Sequence, residues 1–329
     1  MRVAVLGMGQ MGRAFAARAL QRGHQVTVWN RSPGRVPDLV DAGAAEAGSP
    51  ADAARGAEVV LVVVADDAAV EEVCLGDGGA LGALSAGSVL ANVSTVSPGT
   101  VRRLADAGPP DAVLDTPVMG GPAAVARGEG RLLIGGPAAT TERLQPLWSD
   151  LSAGQVHCGP VGSASVIKIL SNLQLVVGVG VLAEAVATAR EHGVGDELLR
   201  TVFSDSAVVS TSSRARLDSI LSSEHPGWFP PALARKDLRL AIALAREGRV
   251  GARLGSAAEA LLTTVVDSGH EWPDFSAIVE ALGPAVQGPA AQGPAVQGPA
   301  VQGPAVQGPV QRPTAQGPAA PGAPRPDPG

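Results

Sequence analysis

One short stretch near the amino terminus constrains this chain more than any other. Val3-Ala4-Val5-Leu6 is an apolar run, Gly7-Met8-Gly9-Gln10-Met11-Gly12 follows without a gap, and an alanine-rich helical pattern extends from Arg13 to Arg22. The order is strand, glycine turn, helix. In a turn of this kind the first glycine makes the bend, the second lets the backbone approach a pyrophosphate, and the third allows close packing of helix on strand. The positive end of the helix then faces the phosphates. The spacing alone is a weak signal, but placed directly between a strand and a helix it is a strong one. Gly23-His24 turns the chain into Gln25-Val26-Thr27-Val28-Trp29, which completes a βαβ unit of about the expected 30 residues.

The end of that second strand carries the choice of dinucleotide. An NAD-selective site offers Asp or Glu there to the ribose 2′-hydroxyl, whereas this chain offers Asn30-Arg31-Ser32, whose guanidinium and hydroxyl suit a 2′-phosphate. NADP(H) is therefore expected in preference to NAD(H), although an ordinary polar turn has the same composition. Glu58–Val64 reads as a buried parallel strand whose carboxyl end, Val64-Ala65, faces the cofactor crevice. Asp66 and Asp67 read as helix caps rather than acid-base groups. Ser88–Val93 is the next strand. It leads into Ser94 and Thr95, whose hydroxyls are placed to reach nicotinamide or substrate, and into a helix start at Ser97-Pro98. Ala112–Asp115 precedes Met119-Gly120-Gly121, where paired glycines admit a substrate to backbone amides or simply make a tight turn. Arg131–Gly136 follows as a strand, Pro137–Asp150 as a helix and Gln155–His157 as an edge strand.

Val161 to Leu182 then places one ammonium group, Lys168, in an otherwise aliphatic helical segment. Asn172 lies four residues on and shares its face, so the two can present a proton donor and an amide to one ligand. A lysine stem can equally snorkel out of an apolar face. Beyond this point strand signals stop: 183–192, 196–205, 212–222, 231–247, 254–268 and 275–282 all read as helices. From Gly283 the pentad Gly-Pro-Ala-Val/Ala-Gln repeats and decays into Pro/Gly-rich sequence, with nothing to bury in a core. The expected organisation is a Rossmann-type, doubly wound α/β domain over 1–160 that binds NADP, an all-α substrate and dimerisation domain over 161–282, and a disordered tail over 283–329.

Composition narrows the function. A net charge of −6 without a basic face argues against nucleic acid as partner. The run from Ile167 to Ala183 is interrupted by Lys168, Ser171, Asn172 and Gln174, so a buried helix is expected rather than a membrane span. Cys74 and Cys158 are too few for a disulfide framework and point to a reducing, cytoplasmic setting. The five histidines show no metal-ligand spacing, so no metal is expected. Tyrosine is absent, which excludes a Tyr-Lys proton-donor dyad. A small molecule is the expected partner.

Taken with these residues, the chain resembles the β-hydroxyacid dehydrogenase family, which includes 3-hydroxyisobutyrate dehydrogenases and glyoxylate/succinic semialdehyde reductases. The resemblance covers about residues 1 to 282. It is carried by Gly7–Gly12, Ser94-Thr95-Val96, Asp115-Thr116-Pro117-Val118-Met119-Gly120-Gly121, Gly162 with Lys168 and Asn172, and Phe229 followed by Lys236-Asp237. It implies that Lys168 exchanges a proton with the substrate oxygen, that Asn172 orients the substrate, that Thr95 and Lys236 contact the cofactor, and that Asp237 holds the closed site. It also implies a homodimer. Met119 departs from the pattern, because the family usually has a carboxylate-binding serine there. That departure and the segment 26–32 are similar to imine reductases, which generally lack a lysine at the position of Lys168. The first expectation is interconversion of a small aldehyde or keto acid with its alcohol or hydroxy acid. The alternatives are imine reduction and a non-catalytic NADP-binding scaffold whose tail recruits partners.

Overall fold

The computed structural model describes residues 1–283 except residue 223, and the tail expected from residue 283 onward lies, from 284, outside the described residues. Among the described residues nine strands form one sheet: β1 (Arg2–Leu6), β2 (Gln25–Trp29), β3 (Ala45–Glu46), β4 (Val59–Val62), β5 (Val89–Asn92), β6 (Val113–Asp115), β7 (Val118–Met119), β8 (Arg131–Gly135) and β9 (Gly154–Gly159). Their order is β3-β2-β1-β4-β5-β6-β8-β7, with β9 also paired to β8. The run from β3 through β6 is parallel, while β6 and β7 meet β8 antiparallel. This is a Rossmann-type doubly wound sheet.

Alternation along the strands supplies a core on each face of the sheet. Val3 and Val5 pack on one side with Phe15, Val26 and Leu61, whereas Ala4 and Leu6 pack on the other with Val60, Val62 and Leu90. Such strands are buried on both faces, so their sequences read as continuous apolar runs. The chain crosses from one half of the sheet to the other between β1 and β4. Ligands of open α/β sheets bind outside the carboxyl ends of the strands at that point.

The helical part begins with Ser163–Glu191, 29 residues in one helix and about 43 Å long at 1.5 Å per residue. The apolar run to Leu182 and the segment 183–192, expected as separate helices, are continuous, because no proline or other breaker stands between them. Among the described residues it is the helix long and apolar enough to cross a membrane by length and composition. Here it packs against β8 and against the helices Pro231–Glu247 and Phe275–Leu282. Val176, Val179, Leu182 and Val186 join Leu238, Leu262 and Phe275 in a third core.

Elsewhere the expected elements shift. Pro137–Asp150 is two helices, Ala138–Arg143 and Gln145–Leu151, because Pro146 has no N–H to continue the first. The segment 212–222 is likewise two short helices, Thr211–Arg214 and Leu217–Leu221. Phe275–Leu282 is a 3₁₀ helix, and its Asp274 cap accepts from Ser276 N. The two-residue strands β3 and β7 were not anticipated, since two residues show no periodicity.

Candidate active site

The glycine turn is built as its spacing requires. Gly7 has φ 99° and donates its N–H to the Trp29 carbonyl at the end of β2. A Cβ there would meet Val64 Cγ1 at 2.8 Å and the Val63 carbonyl carbon at 2.9 Å. Gly12 packs so closely over Gly7 that a Cβ would drive into the Gly7 carbonyl. Gly9, by contrast, has an ordinary extended conformation and open space where its Cβ would stand. It is the N-cap of the helix Gln10–Gln21 and no side chain caps it, so the first N–H groups of that helix face outward without partners. These features fit a dinucleotide pyrophosphate, with Gly9 leaving its space and the helix end supplying donors.

A cleft of about 1040 Å³ runs from this turn, past the ends of β4 and β5, to the helical part. Gly7, Met8, Gly9, Gln10, Met11, Gly12, Asn30, Arg31, Val64 and Ala65 line one end. Ser94, Thr95, Met119, Gly120, Gly121, Lys168, Asn172, Phe229, Lys236 and Asp237 line the rest. Ser32 is outside the cleft's walls, and its carbonyl accepts from the Asn30 amide. Asn30 Oδ1 in turn accepts from Met8 N at 3.1 Å, bracing the glycine turn. Ser94 also serves the backbone: its hydroxyl accepts from Val64 N at 2.9 Å and donates to the Val62 carbonyl at 3.2 Å. Ser94 thus lines the cleft and also braces the backbone just beyond the end of β4, with one acceptor position of its hydroxyl left over. Asp66 and Ser97 cap helices as expected, accepting from Ala69 N and Thr100 N.

Lys168 and Asn172 project from the long helix. Asp115, at the end of β6, accepts from both the N–H and the hydroxyl of Ser165 at 2.7 Å and so caps this helix one turn before Lys168. Asn172 donates to Asp237 Oδ2 at 2.6 Å. The other Asp237 oxygen lies 2.8 Å from the Lys236 ammonium without hydrogen-bond alignment, so that attraction is coulombic. Lys236 also donates to the Thr95 carbonyl. Two adjacent residues of the helix Pro231–Glu247 thus clip it to the sheet at Thr95 and to the long helix at Asn172.

Lys168 retains surface toward the cleft while protein surrounds the rest of the side chain. Burial pushes its ammonium below the usual lysine range, the Asp237 carboxylate pulls it back up, and Lys236 pushes it further down. Among the described residues no hydrogen bond or ion pair engages the Lys168 ammonium. A proton donor of reduced pKa next to an anchored amide is equipped for acid-base work on an oxygen or nitrogen.

Several walls carried no clear signal in the sequence. Ser171 and Leu175, on the Lys168 face by helical spacing, follow once Lys168 is chosen. Trp228 lies over Gly121, and Arg216 comes from the short helical region before it. A large aromatic next to Phe229 in a chain with four tryptophans was a usable hint for Trp228. Nothing in the sequence singles out Arg216.

Comparison with known proteins matches both parts of the chain. Residues 2–162 match the family model described as the NAD binding domain of 6-phosphogluconate dehydrogenase. Residues 162–282 match the one described as the NAD-binding of NADP-dependent 3-hydroxyisobutyrate dehydrogenase. A 3-hydroxyisobutyrate dehydrogenase of Pseudomonas aeruginosa is 32% identical over 287 residues, covering 84% of this chain and 96% of that protein. An NAD-dependent L-serine dehydrogenase of the same organism is 30% identical over 291 residues, covering 86% of this chain and 98% of that protein. The crystal structure of a 3-hydroxyisobutyrate dehydrogenase from Salmonella typhimurium superimposes with a TM-score of 0.77 at 25% identity, covering 85% of this chain and 99% of that one.

Proposed function

The chain belongs to the 3-hydroxyisobutyrate dehydrogenase family of nicotinamide-dependent oxidoreductases, and from that membership we propose that it is an NADP(H)-dependent carbonyl reductase and alcohol dehydrogenase with Lys168 as its proton donor and acceptor. One observation carries the reading: the Lys168 ammonium, unpaired among the described residues, faces the cleft one helical turn from Asn172. When bound, the nicotinamide supplies hydride to the carbonyl carbon or takes it from the alcohol. Gly7 to Gly12 and the end of β4 hold the dinucleotide, with Arg31 at its 2′-phosphate. In reduction, Lys168 gives its proton to the carbonyl oxygen, leaving a hydroxyl and a neutral amine. In oxidation, the neutral amine takes the hydroxyl proton. Asn172, fixed by Asp237, orients the substrate.

The preference for NADP(H) rests on Arg31 in place of an acidic residue. The NAD-dependent relative makes it a point for direct measurement. A homodimer belongs to the same reading, because Ile167, Leu170 and Val181 leave an exposed apolar stripe on the long helix. Lys168→Ala tests the assignment. It is expected to lower kcat by about 10²- to 10⁴-fold while NADPH binds with unchanged affinity, and wild-type turnover of every carbonyl substrate by this variant would sink it. Imine reduction is the second reading, favoured by Met119. It predicts cyclic-imine turnover that survives Lys168→Ala.

A further inference from the structure

The loop that follows β2 presents Arg31 and Ser32, and hydrogen bonds hold it along its length. Asn30 Oδ1 accepts from Met8 N, and the Asn30 amide donates to the Ser32 carbonyl at 3.0 Å. At the far end Val36 is buried, and the Arg13 guanidinium donates to the Arg35 carbonyl at 2.8 Å and to both Asp38 oxygens at 2.6 Å. Between these anchors Gly34, at φ 70°, donates its N–H to Glu46 Oε1 at 2.9 Å. The carboxylate of Glu46 is therefore fixed against the same loop that carries Arg31.

Glu46 comes from β3, the edge strand beside β2. It stands opposite Val28 in the parallel register, and Ala47 N donates to the Val28 carbonyl. That register brings Glu46 to the end of β2, where Trp29, Asn30, Arg31, Pro33 and Glu46 line a pocket of about 360 Å³. The pocket adjoins the dinucleotide end of the cleft, since Trp29, Asn30 and Arg31 line both. Among the described residues no ion pair engages Arg31 or Glu46, so two opposite charges line one space without neutralising each other. A phosphate monoester carries between one and two negative charges near neutral pH. It is attracted by the guanidinium and repelled by the carboxylate, whereas a ribose hydroxyl at the same place has no net charge for either to act on.

We propose that Glu46 is a specificity-determining residue of the cofactor site: its carboxylate opposes the 2′-phosphate that Arg31 attracts, and so holds the preference for NADP(H) over NAD(H) below what Arg31 alone would give. The proposal rests on the NADP(H) reading above and deepens it. In an NAD-selective site the acid stands at the end of β2 itself. Here it enters from the neighbouring strand, and the position on β2 is left to Arg31. Glu46→Gln isolates the charge, because an amide oxygen can still accept from Gly34 N. A solvated carboxylate acting on a phosphate across one pocket changes affinity by about threefold to tenfold at low salt.

The test is equilibrium binding by titration calorimetry of NADPH, NADH, 2′,5′-ADP and 5′-AMP to the wild type, Glu46→Gln and Arg31→Ala. Glu46→Gln is expected to bind NADPH and 2′,5′-ADP about threefold to tenfold more tightly at about 0.01 M salt, with NADH and 5′-AMP unchanged. The gain is expected to vanish at about 1 M salt, where the screening length is about 3 Å. Arg31→Ala is expected to weaken NADPH and 2′,5′-ADP selectively. Unchanged or weaker NADPH binding by Glu46→Gln, alongside the expected loss in Arg31→Ala, overturns this proposal and leaves the NADP(H) reading intact. Weaker NADH binding by Glu46→Gln also overturns it, since the carboxylate would then be holding a ribose hydroxyl. Wild-type affinity for NADPH in Arg31→Ala overturns the NADP(H) reading and this proposal with it.

Discussion

Gly9 and Gly12 stand three residues apart in one turn and meet opposite surroundings, so replacing each with alanine separates cofactor binding from folding. Gly12→Ala pushes a methyl group deep into contact with the Gly7 carbonyl, whose carbon would lie 3.0 Å away. Both partners are backbone, so helix and turn must part by about 1.5 Å to restore ordinary carbon contact distances. Overpacking of this kind costs about 3 kcal/mol, or a Tm about 6–12 °C lower for a chain of this size. Gly9→Ala meets nothing within 4 Å and keeps a backbone, φ −69° and ψ −177°, that alanine adopts freely. The gain from a stiffer unfolded chain and the loss of a good N-cap residue nearly cancel, so stability without cofactor changes by less than about 1 kcal/mol. The new methyl group does occupy the space assigned to the pyrophosphate. NADPH affinity is expected to fall about tenfold to a hundredfold, as for an overpacked contact of about 1–3 kcal/mol. Thermal melting without cofactor gives the first quantity. Quenching of tryptophan emission by added NADPH gives the second, with Trp29 in the cleft wall as reporter. A Gly9→Ala protein that bound NADPH as the wild type does would refute the placement of the pyrophosphate, and a Gly12→Ala protein with wild-type Tm would refute the packing argument.

Further outcomes follow from the charges around the long helix. Because burial lowers the Lys168 pKa, carbonyl reduction, which needs the protonated amine, is expected to decline as pH rises through a value below the usual lysine range, and alcohol oxidation to increase through the same value. Asp237→Asn is expected to move that limb to lower pH and Lys236→Gln to higher pH, read from kcat/KM profiles; unmoved limbs in both variants would remove Lys168 as the titrating group. Asp115→Ala leaves the Ser165 N–H and hydroxyl without their buried acceptor and is expected to cost about 2–4 kcal/mol, seen as a lower Tm. Burial raises the Asp115 carboxyl above the usual carboxylate range. The folded protein therefore holds this proton more tightly than the unfolded chain does, and the group's contribution to stability is greatest in acid and declines as pH rises through the raised value. A melting series from pH 4 upward that is identical in wild type and Asp115→Asn would contradict this. Asp274→Asn strips the partner from a largely buried Arg216 and is expected to cost about 3 kcal/mol in chemical denaturation.

The sheet and the cofactor end of the cleft were legible because local sterics dictate them. A glycine that must have positive φ, one that must admit a carbonyl and one that must leave space occur at fixed spacing, and the strands around them are buried on both faces. Lys168 and Asn172 were legible as a pair through helical spacing, and Lys236 and Asp237 through the family motif. The use of side-chain hydrogen bonds was not legible. The Ser94 hydroxyl bonds to Val62, at the end of β4, and to Val64, just beyond it, both 30 or more residues earlier in the chain. Asp115 resembled a strand end and proves to cap a helix that starts 48 residues later. Both roles depend on which strands become neighbours, and that information is spread over the whole chain.

The same distinction explains why Lys168 alone did not determine the chemistry of the site. A lysine in an apolar helix has its pKa lowered wherever it is buried, so burial says that it can exchange a proton and says nothing about the substrate. What the folded chain adds is how the other cations of the cleft are used. Lys236 is held by Thr95, from beyond the end of β5, and by Asp237, its neighbour on the same helix, and Arg216 is held by Asp274, 58 residues later in the chain. With those charges paired, Lys168 is, among the described residues, the cleft-lining lysine that no hydrogen bond or ion pair engages. On the reading proposed above, Lys168 serves the reacting oxygen while the neighbouring charges fix the elements that carry it, so the pH limb assigned to Lys168 and its shifts in Asp237→Asn and Lys236→Gln bear on the site most directly.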